Sequence, residues 1–152
     1  MSAIASFIKL PKTSLDELRL AASGGGYHGF LHRSGKEVAD YDGSGYIFGT
    51  LLPYLDEQHQ IDLEHSEHDE LGLFLTQTLE ATHFIFTYAH RQAYLDKLAP
   101  EFFSEERLRD YSNEFNETDE PESGRAMVDG VRVLQQSLST LDESSVILFS
   151  IS

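Results

Sequence analysis

Val146-Ile147-Leu148-Phe149-Ser150-Ile151, read VILFSI, is apolar at almost every position and shows no alternation with polar residues. A strand with one face in water alternates, whereas a short run that is apolar at both parities suits a strand covered on both faces. Ala3-Ile4-Ala5-Ser6-Phe7-Ile8-Lys9-Leu10 has the same character and is stopped by Pro11. Two such strands predict neighbours at the centre of one small sheet covered by helices. The expected fold is therefore α+β: a single domain over 1–152, with a small mixed sheet whose N- and C-terminal strands are central and adjacent, packed against several helices.

Between those strands the pattern is mainly helical. Ser14-Leu15-Asp16-Glu17 has the form of a capping box, opening a helix that runs to the glycines at 24–26. Tyr27 to Gly45 reads as loop or short strand, and the apolar Tyr46–Leu52, broken at Pro53, as a helical turn or a strand. Ser66-Glu67-His68-Asp69 is a second capping-box pattern, followed by Leu71, Leu75 and Leu79 at helical spacing. THFIFTY, Thr82 to Tyr88, is β-branched and aromatic and predicts a short strand. Ala89–Leu98 and Ser104–Phe115 read as amphipathic helices around the Pro100 turn. The acidic loop Asn116–Gly124 precedes the best helix, with Met127, Val131, Leu134, Leu138 and Leu141 on one face.

In this order of elements the chain resembles the YfbM-like family of small bacterial proteins of unknown function. The similar features are the MSAIASFI strand and capped helix, the DYDGSGYIFGTLL segment, the helix pair around YLDKLAPEFFSEERLRDYS, and a long helix ending in VILFSIS. Glycines stand where the family's tryptophan is expected after the second Asp. The resemblance implies an α+β fold in a bacterial cytoplasm and supplies no catalytic residues.

With 152 residues, 40% of them hydrophobic, the chain is long enough for one domain with a core of its own. No apolar run is long enough to span a bilayer, MSAIASFIKLP lacks the basic start of a signal peptide, and Ser2 stands where myristoylation needs glycine. The expected location is cytoplasmic. The absence of cysteine removes disulfides, thiol catalysis and thiolate metal sites.

Motifs for chemistry are sparse. DYDGSGYI, Asp40 to Ile47, begins like a calcium loop, but Phe48 and Leu51 stand at positions 9 and 12, where the cation needs oxygens. A tight turn with Asp side chains on backbone amides explains it. Ser6-Phe7-Ile8-Lys9 matches SxxK by chance inside a buried strand, Gly35-Lys36 lacks the rest of a phosphate loop, and Ser23–Gly29 is glycine-rich without GxGxxG spacing. His65 and His68, three apart among carboxylates with His59 nearby, form a possible divalent-metal cluster, although HExxH spacing is absent. A solvated acidic helix start is the simpler reading. His83 and His90 read as ordinary, partly buried residues. The sequence calls for no catalytic residue, metal or cofactor.

Charge is the loudest signal, at a formal −15, and its distribution is uneven. In residues 1–50, Lys9, Lys12, Arg19, Arg33 and Lys36 balance Asp16, Glu17, Glu37, Asp40 and Asp42, so the whole excess lies beyond. Two stretches, Asp56–Glu70 and Asp110–Glu122, are acid-rich and free of Lys and Arg. Such fields oppose nucleic acid and anionic membranes and favour basic protein partners. Small acidic bacterial proteins without an active site include immunity proteins and antitoxins. The expected function is therefore a non-enzymatic inhibitor that binds a cognate toxin or effector with a basic cleft. The expected contact residues are Tyr54, Asp56, Glu57, Asp62, Glu64, Glu67, Asp69 and Glu70 from the first stretch. Asp110, Tyr111, Glu114, Glu117, Asp119 and Glu120 come from the second. Tyr54, Tyr111 and Phe115 are candidate aromatic anchors, with core packing the stronger alternative for Phe115. The other class is a metal-dependent hydrolase or transferase using His59, His65, His68 and nearby carboxylates.

Overall fold

A computed structural model of the chain describes residues 3–152; Met1 and Ser2, the position read against myristoylation, lie outside the described residues. Four strands, β1 (Ala5–Pro11), β2 (Lys36–Asp40), β3 (Thr82–Phe86) and β4 (Ser145–Ile151), form one sheet in the order β2-β1-β4-β3. The two terminal strands are central and adjacent as expected, with Phe7 opposite Phe149 and Leu10 opposite Val146. Every pairing is antiparallel, so the sheet is not mixed. Each successive strand re-enters the sheet in the reverse direction.

Among the described residues seven α-helices cover both faces: α1 (Leu15–Gly24), α2 (Tyr27–Ser34), α3 (Phe48–His59), α4 (Asp69–Leu79), α5 (Tyr88–Tyr94), α6 (Glu105–Asn116) and α7 (Ser123–Leu138). Strand alternation sorts the core into two layers. Phe7, Phe86, Ile147 and Phe149 face α3, α6 and α7, whereas Leu10, Ile85, Val146 and Leu148 face α1, α2 and α4. This explains why VILFSI is apolar at both parities: β4 is buried from Ser145 to Ser150.

Both sheet edges are protected. On β3 the His83 N–H donates to Thr76 Oγ1 at 3.0 Å, and Gly72 lets α4 approach, since a Cβ there would stand 3.3 Å from the His83 carbonyl oxygen. On the opposite edge β2 carries the exposed Lys36, Glu37 and Asp40, which discourage pairing with another chain.

Several local expectations are corrected. Tyr27–Gly45, read as loop or short strand, does hold the short strand β2, but its first part is helix, with Tyr27 and Phe30 burying one side of α2. Pro53 does not end its segment but lies inside α3. The carbonyl that loses a partner to proline is four residues back, on Gly49, which is exposed and can be hydrated. Ser14 does not cap α1, because its hydroxyl donates to the Pro11 carbonyl at 2.7 Å and a single 3-10 turn intervenes. The Ser66 pattern is a turn before α4 and not a capping box: Asp69 Oδ1 accepts the Ser66 N–H at 2.7 Å, Ser66 Oγ accepts the His68 N–H at 3.0 Å, and α4 starts at Asp69 without a side-chain cap. In DYDGSGYI, Ser44 Oγ accepts the Tyr46 N–H, and Gly45 packs so closely on Ala5 N that a Cβ would lie 2.8 Å away. The segment is a packed turn. Among the described residues no helix is long and apolar enough to cross a membrane.

Candidate functional site

The C-terminal half of α3 lies beside α6. On α3 the residues Phe48, Leu51, Leu52 and Leu55 enter the core, which leaves Tyr54, Gln58 and His59 along its flank. On α6 the buried Leu108 and Ser112 face inward, and Tyr111 and Glu114 follow the opposite border. Ser104 fixes the start of α6 by accepting the Arg107 N–H at 3.3 Å. Between the two helices opens a cleft of about 410 Å³, lined chiefly by Tyr54, His59, Phe102, Asp110, Tyr111 and Glu114, with Arg107 as its cation.

A continuous run of rings follows the cleft, with His59, Tyr54 and Tyr111 in its lining and Phe103 and Phe115 outside that lining at either end of the run. His59 lies 4.8 Å from Phe103 and 5.3 Å from Tyr54; Tyr54 meets Tyr111 edge-on at 4.9 Å; Tyr111 stacks on Phe115 at 5.8 Å and 20°. The Tyr111 hydroxyl donates to Glu57 Oε2 at 2.6 Å, and the Tyr54 hydroxyl lies 3.3 Å from His59 Nε2. Burial, followed by the bond to Glu57 and the negative charges around it, raises the Tyr111 phenol well above its ordinary value. Burial also raises Tyr54, against the pull of Arg107, and lowers His59. Near neutral pH these rings are uncharged, and carboxylates together with Arg107 supply the charge.

The expected contact residues divide into two groups. Tyr54, Glu57, Asp110, Tyr111 and Glu114 gather at the cleft, with Asp56 exposed beside Glu57 on α3. Tyr54 is only 6% exposed while Phe115 is 51% exposed, which reverses the expected order of core packing. Phe115 rests on Tyr111, its neighbour one turn earlier, and does not turn into the core. Glu117, Asp119 and Glu120 are exposed on the loop after α6, where Asn113 Oδ1 accepts the Glu120 N–H at 2.9 Å.

The remainder of the first stretch is directed elsewhere. Glu67 pairs with Lys12 at 3.6 Å and Glu70 with Arg19 at 2.9 Å, Asp62 bonds His65, and Asp69 holds the turn into α4. Glu64, Asp69, His65 and His68 border a second cavity of about 330 Å³ between α4 and β3. His59 lies in the first cleft, so the three histidines do not converge. Among the described residues no three His, Asp or Glu side chains are grouped to hold a metal ion.

Two histidines matter more to the fold than their sequence context indicates. His83 is 3% exposed, its Nδ1–H donating to the Ala81 carbonyl at 2.6 Å while Nε2 accepts the Tyr27 hydroxyl at 3.1 Å. His90 is 6% exposed, its Nε2–H donating to the His65 carbonyl at 2.8 Å while Nδ1 accepts the Thr87 N–H at 3.0 Å. Thr87 and His90 form a reciprocal capping box for α5, and the T-x-x-H spacing is the signal that reveals it. A second proton on His90 would face the Thr87 N–H, a donor with no acceptor to offer, whereas the Tyr27 hydroxyl beside His83 can also accept, so burial is what disfavours the charge there. Burial lowers both pKa values, opposed in each case by a backbone carbonyl.

In the unfolded chain these rings titrate near 6.5. The stability they contribute is therefore complete above that pH and lost as pH falls through the lower folded-state values. His65, raised by its bond to Asp62, acts in the opposite sense, but it is exposed and contributes less. Urea midpoints taken from about pH 8 to about pH 5 are expected to decline below about 6.5. A flat profile would contradict the two neutral rings.

No protein-family model, curated protein or solved structure matches the chain. The likeness to the YfbM-like family therefore rests on the sequence features that suggest it.

Proposed function

We propose that this chain is a non-enzymatic acidic binding protein of the immunity or antitoxin type, which blocks a cognate bacterial effector with a basic cleft in the cytoplasm. The observation that supports this most is the meeting of the two acid-rich stretches at one surface. Glu57 from the first and Tyr111 from the second are hydrogen-bonded across α3 and α6, with Asp110 and Glu114 alongside. Toxins that act on nucleic acid or nucleotides have basic clefts, and a partner of opposite charge gains steered association and complementary contacts. The rings supply the apolar contact area on which binding energy concentrates.

Affinity capture from native lysate, at low and high salt, tests the reading with the tagged protein as bait. The expected result is one dominant partner retained at moderate salt in a one-to-one complex, its activity inhibited. Charge reversal at Glu57, Asp110 and Glu114 is expected to slow association by roughly tenfold or more at low salt. Retention of nothing at either salt, or an interface confined to residues 1–50, would overturn it.

A further inference from the structure

The protein already displays once how it holds an arginine. Arg19 of α1 lies 4.7 Å above the Phe74 ring and bonds Glu70 at 2.9 Å, with Glu70 and Phe74 one turn apart on α4. A planar guanidinium suits this arrangement, because it stacks on a ring face while its fork bonds a carboxylate. On α6, Tyr111 has Glu114 and Phe115 as its neighbours three and four residues on, which places an aromatic face and a carboxylate side by side again. Among the described residues no arginine lies over those rings, and Glu114 enters no ion pair. Phe115, 51% exposed, leaves this aromatic surface open to water.

Resting on the inhibitor reading above, we infer that the Glu114–Phe115 end of the α3/α6 cleft seats an arginine of the partner. Its guanidinium stacks on the Tyr111 and Phe115 rings and pairs with Glu114. Nucleobases could also stack there, but the acidic border repels their phosphates. Arg107 repels an incoming cation and sets the polarity of the cleft. It lies two helical turns from Glu114 and Phe115, roughly 11 Å along the axis, so the arginine settles at the far end. A lysine ammonium has neither the plane nor the fork.

The test uses the intact protein and two blocked tetrapeptides, one of arginine and one of lysine, with binding followed by NMR of the aromatic ring resonances. The arginine peptide is expected to bind about fivefold more tightly and to shift Tyr111 and Phe115. Phe115→Ala and Glu114→Gln, both at exposed positions, should each remove most of that preference, and Arg107→Gln should strengthen binding. The pair Glu37→Gln and Asp40→Asn on β2, which does not line the cleft, should leave the preference intact. Equal binding of the two peptides, indifference to Phe115→Ala, or equal loss from the β2 pair overturns the inference. The two readings fail separately. An effector that binds Phe115→Ala as well as it binds the natural chain removes the arginine seat and leaves the inhibitor. Arginine selectivity with no effector captured does the reverse.

Discussion

Phe149→Ala is expected to lower stability by about 3–5 kcal/mol, the range for removing a fully buried phenylalanine. Phe149 is 0% exposed and sits at the middle of β4, where three strands and a helix meet. Its ring contacts Phe7 of β1 at 5.0 Å, Phe48 of α3 at 5.3 Å and Phe86 of β3 at 5.3 Å, and it stacks more distantly on Phe84. Truncation strands several rings around one void. They cannot all relax into it, because those on β1 and β3 are fixed by the ladders on either side. Urea denaturation should show a large fall in midpoint with little change in slope, as stability changes do. A loss below about 1 kcal/mol would mean that the aromatic cluster repacks freely.

Gly124→Ala should cost about 3 kcal/mol, at the upper end for overpacking. Gly124 lies in the first turn of α7 against the start of α6, and a Cβ would overlap the Glu105 carbonyl oxygen and crowd Arg109 Cβ. A backbone carbonyl cannot rotate aside as a side chain can, so the helices must part. Since α6 carries Tyr111 and Glu114, the same substitution should weaken binding at the cleft even where the variant remains folded. Gly49→Ala is the control: it is helical too, but a Cβ there meets nothing within 4 Å, and its effect should be neutral or slightly stabilising. Similar midpoints for the two variants would remove the close approach of α6 and α7 from the account.

The sheet was legible in the sequence where burial is complete on both faces. Phe149, Leu148 and Phe7 carry the same message whichever parity is read, so the centrality of β1 and β4 follows from composition. Direction does not: nothing in a strand's own residues distinguishes antiparallel from mixed pairing when helices intervene. Helix α2 is hidden in the sequence because Gly29, His28 and His32 weaken local propensity, and it is the burial of Tyr27 and Phe30 that stabilises it. Pro53 misled because its penalty depends on whether the freed carbonyl can reach water. At the candidate site, charge marked the two acidic stretches but not their meeting, which depends on how α3 and α6 pack. The exposure of Phe115 is hidden for the same reason. An apolar residue near a helix end gives no sign of whether the core extends that far.

The order of synthesis has a consequence for this topology. The outer pair β2-β1 and the strand β3 touch the rest of the sheet only through β4, which follows every other element in the chain. Until β4 has left the ribosome, β1 exposes one edge and β3 another, with Phe7 and Phe86 lacking the ring that joins them. The nascent chain can form its helices and the β1-β2 pair, but it cannot close the sheet. The bonds between Ile4 and Ser152, at 2.7 and 3.0 Å, then unite residues far apart in the sequence. Pairings of such long sequence separation are slow to form and leave strand edges open to misassociation. The acidic surface, by keeping waiting chains apart, protects the protein before it has folded as well as after.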